Sequence, residues 1–212
     1  MSGSSAERAI RDGVHDWLRV NVPEARVIHE LVVGGCRADL AAVERERVTL
    51  FEIKSSKDTL TRLPEQVRQF ARAAHETVVV ADERWFDRTP YNNGLPRFVP
   101  GDALLDACKH EAEIWAWPHD PTRNLYGAWK FRRSWSAEPE PHAARLLELL
   151  WKEELLRECF RHQISATSRT TCPTMIRDMA WHMSGKEIAR AVCRQLRQRA
   201  FPEADAPIAE AA

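Results

Sequence analysis

Two short apolar stretches joined by a charged turn constrain the fold of this chain more than any other feature. The stretches cover residues 37–43 and 48–54, and the turn between them, residues 44–47, consists entirely of charged residues. Apolar runs on either side of a short polar turn predict an antiparallel β-hairpin. Because side chains alternate across a strand, Glu52 and Lys54 should point to the same face of that hairpin.

The segments around the hairpin predict a mixed α/β core. Residues 6–20 carry apolar side chains at helical spacing, and Pro23 ends that helix. A strand at 26–33 precedes the hairpin, a helix at 58–75 follows it, and residues 77–81 form a wholly apolar strand suited to the middle of a sheet. The predicted order is therefore α-β-β-β-α-β, and the last two strands should be parallel.

The rest of the chain predicts one more strand and a helical C-terminal region. We expect a core domain at 6–118 and a C-terminal helical region at 142–200, joined by an irregular linker. The predicted segments are, in order, a loop at 83–101, a short helix at 102–109, a strand at 113–117, the linker at 119–141, helices at 142–160, 173–183 and 184–200, and a frayed tail at 201–212.

Composition limits the class of protein. The chain has 212 residues and 44% hydrophobic content, enough for one domain with a real core. Lys+Arg and Asp+Glu both number 31, and this zero net charge argues mildly against nucleic-acid binding without excluding it. The five cysteines form no CxxC pair, and the N-terminus lacks an apolar leader. With no apolar run of roughly 18 to 20 residues, we expect a cytoplasmic protein with reduced thiols and no membrane contact.

Two carboxylates near the hairpin predict a metal site. Asp39 lies on the first strand and Glu52 on the second, so they can lie close together, although the sequence does not fix the register. Paired carboxylates suit Mg²⁺ or Mn²⁺, and the backbone carbonyl of Ile53 could add an oxygen. A bound metal would neutralise phosphate charge and activate water, while Lys54 would orient that water and stabilise the developing charge.

This arrangement resembles the PD-(D/E)xK nuclease superfamily, which includes many restriction enzymes, over residues 6–82. The catalytic aspartate of that superfamily matches Asp39, and its E-x-K signature matches Glu52 and Lys54. Many members carry a glutamine on the following helix, which matches Gln66. The resemblance implies a restriction-endonuclease-like α/β fold, a Mg²⁺-dependent endonuclease activity on DNA, and an orienting role for Gln66.

The resemblance leaves the remaining metal ligand open. A glutamate on the first helix often completes the site in that superfamily, and Glu7 is placed for this role, with Glu30 as the alternative. Ala38 stands where the superfamily often has proline, a change that it tolerates. The string from Arg37 to Gln66 is similar to that of small bacterial and phage-borne members whose roles are mostly unassigned. The simpler interpretation of Glu-x-Lys in a strand is a solvent-facing ion pair.

Basic residues outside the hairpin suggest DNA contacts. On the last predicted helix, Arg190, Arg194 and Arg197 recur at intervals of three and four residues, as on the second helix of a helix-turn-helix. The alternative is the solvated face of an ordinary amphipathic helix. Lys57 and Arg62 flank the predicted site and could hold the DNA backbone, or could simply be surface charges.

Several cysteines and histidines in the C-terminal region could be taken for a zinc site. Cys159 and His162 form only half of a zinc pattern, with Cys172, His182 and Cys193 near them in sequence. The better interpretation is buried cysteines and surface histidines. We therefore expect no zinc at these residues.

Tryptophans are frequent in the second half of the core domain and in the linker. Trp115, Trp117, Trp129 and Trp135 could stack on unpaired bases, but core packing is the preferred interpretation. The pair at 132–133, two arginines beside Trp135, is the strongest exception.

The sequence thus favours a metal-dependent DNA nuclease acting in repair, phage defence or mobile-element processing. The alternative is a catalytically silent subunit of the same fold that binds nucleic acid or assembles with other proteins. Zero net charge favours a homodimer or a protein partner in either case. A regulator that uses the C-terminal helices is a third, weaker option.

Overall fold

The computed structural model of this chain describes residues 4–90, 96–122, 126–131 and 141–208. Its first half contains both helices and strands, and the described part from residue 141 onward is helical. In chain order the elements are α1 (Ser5–Asn21), β1 (Arg26–Val33), β2 (Cys36–Val43), β3 (Val48–Lys54), α2 (Leu63–Ala73), β4 (Glu76–Asp82), β5 (Phe86–Pro90), β6 (Pro96–Pro100), α3 (Asp102–Cys108), β7 (Glu113–Trp117), α4 (Ala143–Leu147), α5 (Lys152–Arg161), α6 (Cys172–His182) and α7 (Gly185–Gln198).

The main sheet is mixed and has the order β1-β2-β3-β4-β7. β1, β2 and β3 pair antiparallel, whereas β3, β4 and β7 pair parallel. The first six elements follow the predicted α-β-β-β-α-β order, and the predicted strand Glu113–Trp117 is present at the edge. The predicted α/β fold class with a mixed sheet and C-terminal helices is therefore confirmed.

Helices cover both faces of the sheet. On one face, α1 packs its buried side chains Ile10, Val14 and Leu18 against Leu40 and Phe51 of the hairpin. The opposite face is covered by α2 together with the C-terminal helices, and these share one apolar cluster with the sheet. Burial of this cluster is the main source of stability for the C-terminal region. Within the described residues, no helix is long and apolar enough to cross a membrane.

The predicted start of the second helix was wrong. Asp58 does not begin a helix, because its carboxylate instead accepts hydrogen bonds from the backbone N and the hydroxyl of Ser55, at 2.7 and 2.6 Å. These contacts close a turn directly after β3. The helix α2 begins at Leu63, with Pro64 in its first turn, where a missing N–H does no harm.

The segment predicted as a loop at 83–101 also contains regular structure. A single 3₁₀ turn over Glu83–Trp85 leads into β5, which pairs antiparallel with β6. Pro90, Pro96 and Pro100 stand at the strand ends of this two-stranded ribbon, where a missing backbone donor is tolerated. Residues 91–95 of the predicted loop lie outside the described residues.

The single helix predicted at 142–160 is interrupted. α4 ends at Leu147, and α5 begins after Trp151, whose backbone is extended and whose N–H donates to Glu154 Oε2 at 2.7 Å. Glu154 is buried and also accepts from Arg199 Nε at 2.7 Å. A buried carboxylate needs hydrogen-bond partners. The helix is therefore interrupted where Glu154 can accept from both the Trp151 N–H and Arg199.

The C-terminal tail was predicted to fray, but its described part is bound along β1. Asp205 exchanges backbone and side-chain hydrogen bonds with Val27, the shortest at 2.6 Å to Asp205 Oδ2. His29 N donates to the carbonyl of Glu203 at 3.0 Å. Residues 201–208 therefore cover the free edge of β1, which would otherwise present unpaired backbone groups.

Candidate functional site

The sheet register places three acidic residues in one row across three strands. Regular pairs on both sides of Glu30 put this residue opposite Asp39. On the other side of β2, the last regular pair is Leu40 with Phe51, and the next position along each strand is Asp39 and Glu52. The register that the sequence left open thus brings these three carboxylate positions side by side.

Glu52, Lys54 and Gln66 form one hydrogen-bonded cluster, in which Glu52 and Lys54 are buried and Gln66 is half-buried. Lys54 Nζ and Gln66 Nε2 both donate to Glu52 Oε1 at 2.6 Å, and Lys54 Nζ lies 3.3 Å from Gln66 Oε1. Glu52 is only 3% exposed and Lys54 only 7%. The first turn of α2 positions Gln66 over the end of β3, and the structure thereby joins the three residues that the sequence proposed as a unit.

The second oxygen of Glu52 lacks a partner. Glu52 Oε2 is buried and makes no hydrogen bond within the part of the chain that the structure describes. Burial raises the pKa of Glu52, while the charge of Lys54 and the hydrogen bonds from Lys54 and Gln66 oppose that rise. An orphaned buried carboxylate oxygen is costly, and a bound cation is one group that would satisfy it.

Asp39 lies at the edge of the cluster and is partly open to solvent. Its Oδ2 accepts a hydrogen bond from the backbone N of Ile53 at 2.7 Å, which ties β2 to β3 beyond their last regular pair. Burial and, next, the negative charge of Glu52 raise the pKa of Asp39 to about 7, against the hydrogen bond from Ile53 and the charge of Arg11. Two carboxylates that repel each other in this way favour a cation between them.

Arg11 on α1 is the residue that sequence reasoning missed. Its Nη2 atom lies 2.7 Å from Glu7 Oε1, 3.2 Å from Glu30 Oε1 and 3.7 Å from Asp39 Oδ1. Both candidates for the remaining metal ligand therefore converge on Arg11. The spacing of four residues between Glu7 and Arg11 signals a helical ion pair. The contacts to β1 and β2 depend on how α1 docks and have no signal in the sequence.

The backbone of Glu30 is unusual. Its φ angle is +58°, a left-handed conformation that is uncommon for residues other than glycine, and it interrupts the pairing of β1 with β2. The side chain contacts Arg11 and also lies 2.5 Å from Arg37 Nε. Backbone strain of this kind concentrates at functional sites, where surrounding contacts maintain it.

The residues present fit Mg²⁺ with few protein ligands. In the described ranges, no three His, Cys, Asp or Glu side chains form a group that could hold a metal ion. Asp39 and Glu52, with the carbonyl of Ile53, would supply three oxygens, and Mg²⁺ usually keeps several waters beside one or two carboxylates. The orphaned oxygen of Glu52 would be an available ligand for such an ion.

A cleft of about 690 Å³ opens beside the acidic row. Charged groups dominate its walls, and Arg11, Arg37 and Arg62 are among the residues that line it. The tail segment that follows α7 forms one side of it, through Phe201, Pro202 and Glu203. Lys57 is exposed in the turn after β3 and does not line the cleft.

The arginines of the basic stripe predicted on the last helix each pair with groups elsewhere in the protein. Arg197 is 5% exposed and donates to two backbone carbonyls, and Arg194 binds the buried carboxylate of Glu158 at 2.7 Å. Arg190 pairs at the surface with Glu46 at 2.7 Å. The arginines of α7 therefore hold the helix against the rest of the protein.

Two cysteines and two tryptophans singled out in the sequence lie in the core. Cys159 and Cys193 are fully buried in the apolar cluster, as the preferred interpretation predicted. Trp115 and Trp129 are also buried and stack with their rings 5.4 Å apart, which confirms core packing for this pair. The arginine pair at 132–133 and Trp135 lie outside the described residues.

Comparison with known proteins adds one family. A family model described as bacteriophage P4 protein cII matches residues 1–92, which include α1 to β4 and all residues of the acidic row. The match covers less than half of the 212-residue chain. No curated protein and no solved structure matches the chain significantly.

Proposed function

We propose that this protein is a Mg²⁺-dependent nuclease that hydrolyses phosphodiester bonds in DNA. The observation that carries the proposal is the hydrogen-bonded Glu52–Lys54–Gln66 cluster, with its buried charges. Asp39 lies next to Glu52 in the sheet and lines an open cleft. Burying a carboxylate and an ammonium is costly for a fold. A catalytic role therefore explains the buried Glu52 carboxylate and Lys54 ammonium better than a contribution to stability does.

Asp39 and Glu52 would hold the metal, with the backbone carbonyl of Ile53 as a further oxygen ligand. When bound, Mg²⁺ would neutralise charge on the scissile phosphate and lower the pKa of a water molecule. The two carboxylates differ in their surroundings. Asp39 faces the cleft, whereas Glu52 is anchored by Lys54 and Gln66 behind it.

Lys54 would orient the attacking water and stabilise negative charge on the phosphate oxygens. Its ammonium group has three donors, of which Glu52 and Gln66 take two. Among the described residues the ammonium contacts no third acceptor, so its remaining donor would be available to water or phosphate. Gln66 donates to Glu52 and accepts from Lys54. It would therefore fix the position of the Glu52 carboxylate relative to the Lys54 ammonium.

Arg37 and Arg62 line the cleft and would contact DNA phosphates on either side of the cut, and Lys57 is exposed in the turn after β3. The net charge of zero gives little further affinity for nucleic acid, which favours action with a partner or as a homodimer. The match to a phage protein favours phage or mobile-element DNA as the setting over general repair.

One observation favours a second candidate, a catalytically silent subunit of nuclease fold. Arg11 pairs with Glu7 and Glu30 and approaches Asp39, so the described residues present no ready three-carboxylate group. A protein that uses this fold only to bind nucleic acid or to assemble would retain such an ion-pair cluster. It would bind DNA and would not cut it.

Cleavage assays separate the two candidates. Supercoiled plasmid, single-stranded and branched DNA would each be incubated with the protein in Mg²⁺ or Mn²⁺, and binding measured in parallel by fluorescence anisotropy. We expect cleavage by the wild type, a loss of at least about 100-fold in Lys54→Met, and no loss in the exposed control Lys152→Met. DNA binding without cleavage by the wild type would favour the silent subunit. Unchanged cleavage by Lys54→Met would refute the assigned site.

A further inference from the structure

The guanidinium of Arg11 lies where three carboxylates from three different elements meet. Its Nη2 is 2.7 Å from Glu7 on α1, 3.2 Å from Glu30 on β1 and 3.7 Å from Asp39 on β2. One nitrogen carries two hydrogens, so it cannot make full hydrogen bonds to all three groups. The contact is therefore a shared counter-ion arrangement more than a set of saturated hydrogen bonds.

The described surroundings of Arg11 neutralise its charge but do not supply an acceptor for each of its donors. Arg11 is 8% exposed, and its Nε atom is buried without a hydrogen-bond partner among the described residues. A buried donor without an acceptor weakens the placement of the side chain. The described residues that surround this side chain thus supply negative charge for a cation but do not satisfy all the hydrogen-bond donors of the Arg11 guanidinium.

The carboxylates that hold Arg11 include those that the site offers to a metal. Asp39 is a proposed ligand, and Glu7 and Glu30 are the two candidates for completing the set. A cationic guanidinium and a divalent ion a few ångströms apart repel each other strongly in a partly buried site. We propose that Arg11 is a built-in competitor for the metal, which neutralises the acidic cluster in the metal-free protein and withdraws when a divalent cation binds.

This role for Arg11 presupposes the proposed metal site and makes a prediction about affinity that a purely structural arginine would not. Removing the competing charge should strengthen metal binding, although it removes an ion pair from the fold. Arg11→Met keeps much of the side-chain length without the charge. Arg11→Lys keeps a cation but loses the fork that reaches several carboxylates. We expect metal affinity to rise on the order of tenfold in Arg11→Met and less in Arg11→Lys.

Mn²⁺ binding to the full chain at pH 8, followed by electron paramagnetic resonance, tests this role. The Mn²⁺ site of interest is identified as the binding that disappears in the Asp39→Asn variant. Arg8→Met, an exposed arginine on the same helix, is the matched control and should bind like the wild type. Unchanged or weaker binding in Arg11→Met, with circular dichroism showing a folded protein, would overturn the role. If Arg11→Met does not fold, neutral Arg11→Gln must show the same tightening.

The outcomes for Arg11 and for the nuclease proposal are distinguishable. Mn²⁺ binding that depends on Asp39 and tightens in Arg11→Met, without any DNA cleavage, would support the role of Arg11 and count against a nuclease. Cleavage by the wild type with equal Mn²⁺ affinity in Arg11→Met would overturn the role of Arg11 alone. Absence of Mn²⁺ binding in the wild type and in Arg11→Met would overturn both the role of Arg11 and the nuclease proposal.

Discussion

Lys54 Nζ donates a hydrogen bond of 2.6 Å to Glu52 Oε1, and both side chains are almost fully buried at the end of β3. The two residues stand two positions apart in one strand, so the pleat points both to the same face. Such a pair is expensive to bury and expensive to break. It therefore gives the site a feature that stability measurements can detect independently of any activity.

Removing only one member of this pair should destabilise the protein. Lys54→Met leaves Glu52 buried with Gln66 as its one remaining donor among the described residues. We expect a loss of about 3 kcal/mol in the free energy of unfolding. The double variant Lys54→Met/Glu52→Gln removes both charges and should recover most of that loss. Urea denaturation at pH 8 without metal measures both. Equal losses in the single and double variants would contradict the pairing.

The raised pKa of Asp39 predicts a pH-dependent stability. Its pKa rises from 3.8 to about 7 in the folded protein. A raised carboxyl pKa contributes stability that is full below the unfolded value and is lost as pH rises through the folded value. In metal-free protein, Asp39→Asn should therefore be more stable than the wild type at pH 8, by up to about 4 kcal/mol at about 1.4 kcal/mol per pKa unit, and similar near pH 4.

Thermal and urea denaturation across pH 4 to 8 checks this dependence. Asp12→Asn, an exposed carboxylate on α1, is the control and should follow the wild type throughout. Greater stability of the wild type than Asp39→Asn at pH 8 would show that Asp39 is ionised at little cost. Mg²⁺ should reduce the difference, since a bound cation favours the ionised form.

Gln66 should affect activity through the positions of its neighbours. Gln66→Ala removes a donor to Glu52 and an acceptor for Lys54, which leaves both charges less restrained. We expect the cleavage rate to fall by about 10- to 100-fold with a smaller effect on DNA affinity. The control is Gln69→Ala, which lies three residues further along α2 and donates to the exposed Glu65. A loss in DNA affinity alone would mean that Gln66 contacts substrate.

The tail contact of Asp205 should protect the edge of β1. Asp205→Ala removes the acceptor for the backbone N of Val27 and a partner of Arg19, and we expect a loss of about 1–2 kcal/mol. Hydrogen exchange at Val27 and His29 should accelerate, while exchange in β3 should stay slow. If β1 exchange is unchanged, the tail does not protect this edge in solution.

Periodicity along the chain was sufficient to predict much of the fold. Alternation in β3 places Glu52 and Lys54 on one face, and the helical stripe of α2 brings Gln66 to them. The role of Arg11 could not be predicted, because its contacts to Glu30 and Asp39 depend on the docking of α1 against the sheet.

Other differences between prediction and structure have the same cause. The break between α4 and α5 depends on Glu154, whose partner Arg199 is 45 residues further along the chain. The tail binds β1 through Asp205, 178 residues from Val27. Propensity and periodicity describe neighbours in sequence, whereas buried polar groups select partners in space.

The most direct test of the central claim is the rate of nicking of supercoiled plasmid at pH 8 as the Mn²⁺ concentration is raised. We expect nicking by the wild type to rise to a plateau with metal, to fall at least about 100-fold in Asp39→Asn, and to be unchanged in Asp12→Asn. Nicking that is independent of metal, or that Asp39→Asn retains at the wild-type rate, would contradict the assignment of Asp39 and Glu52 as a catalytic metal site.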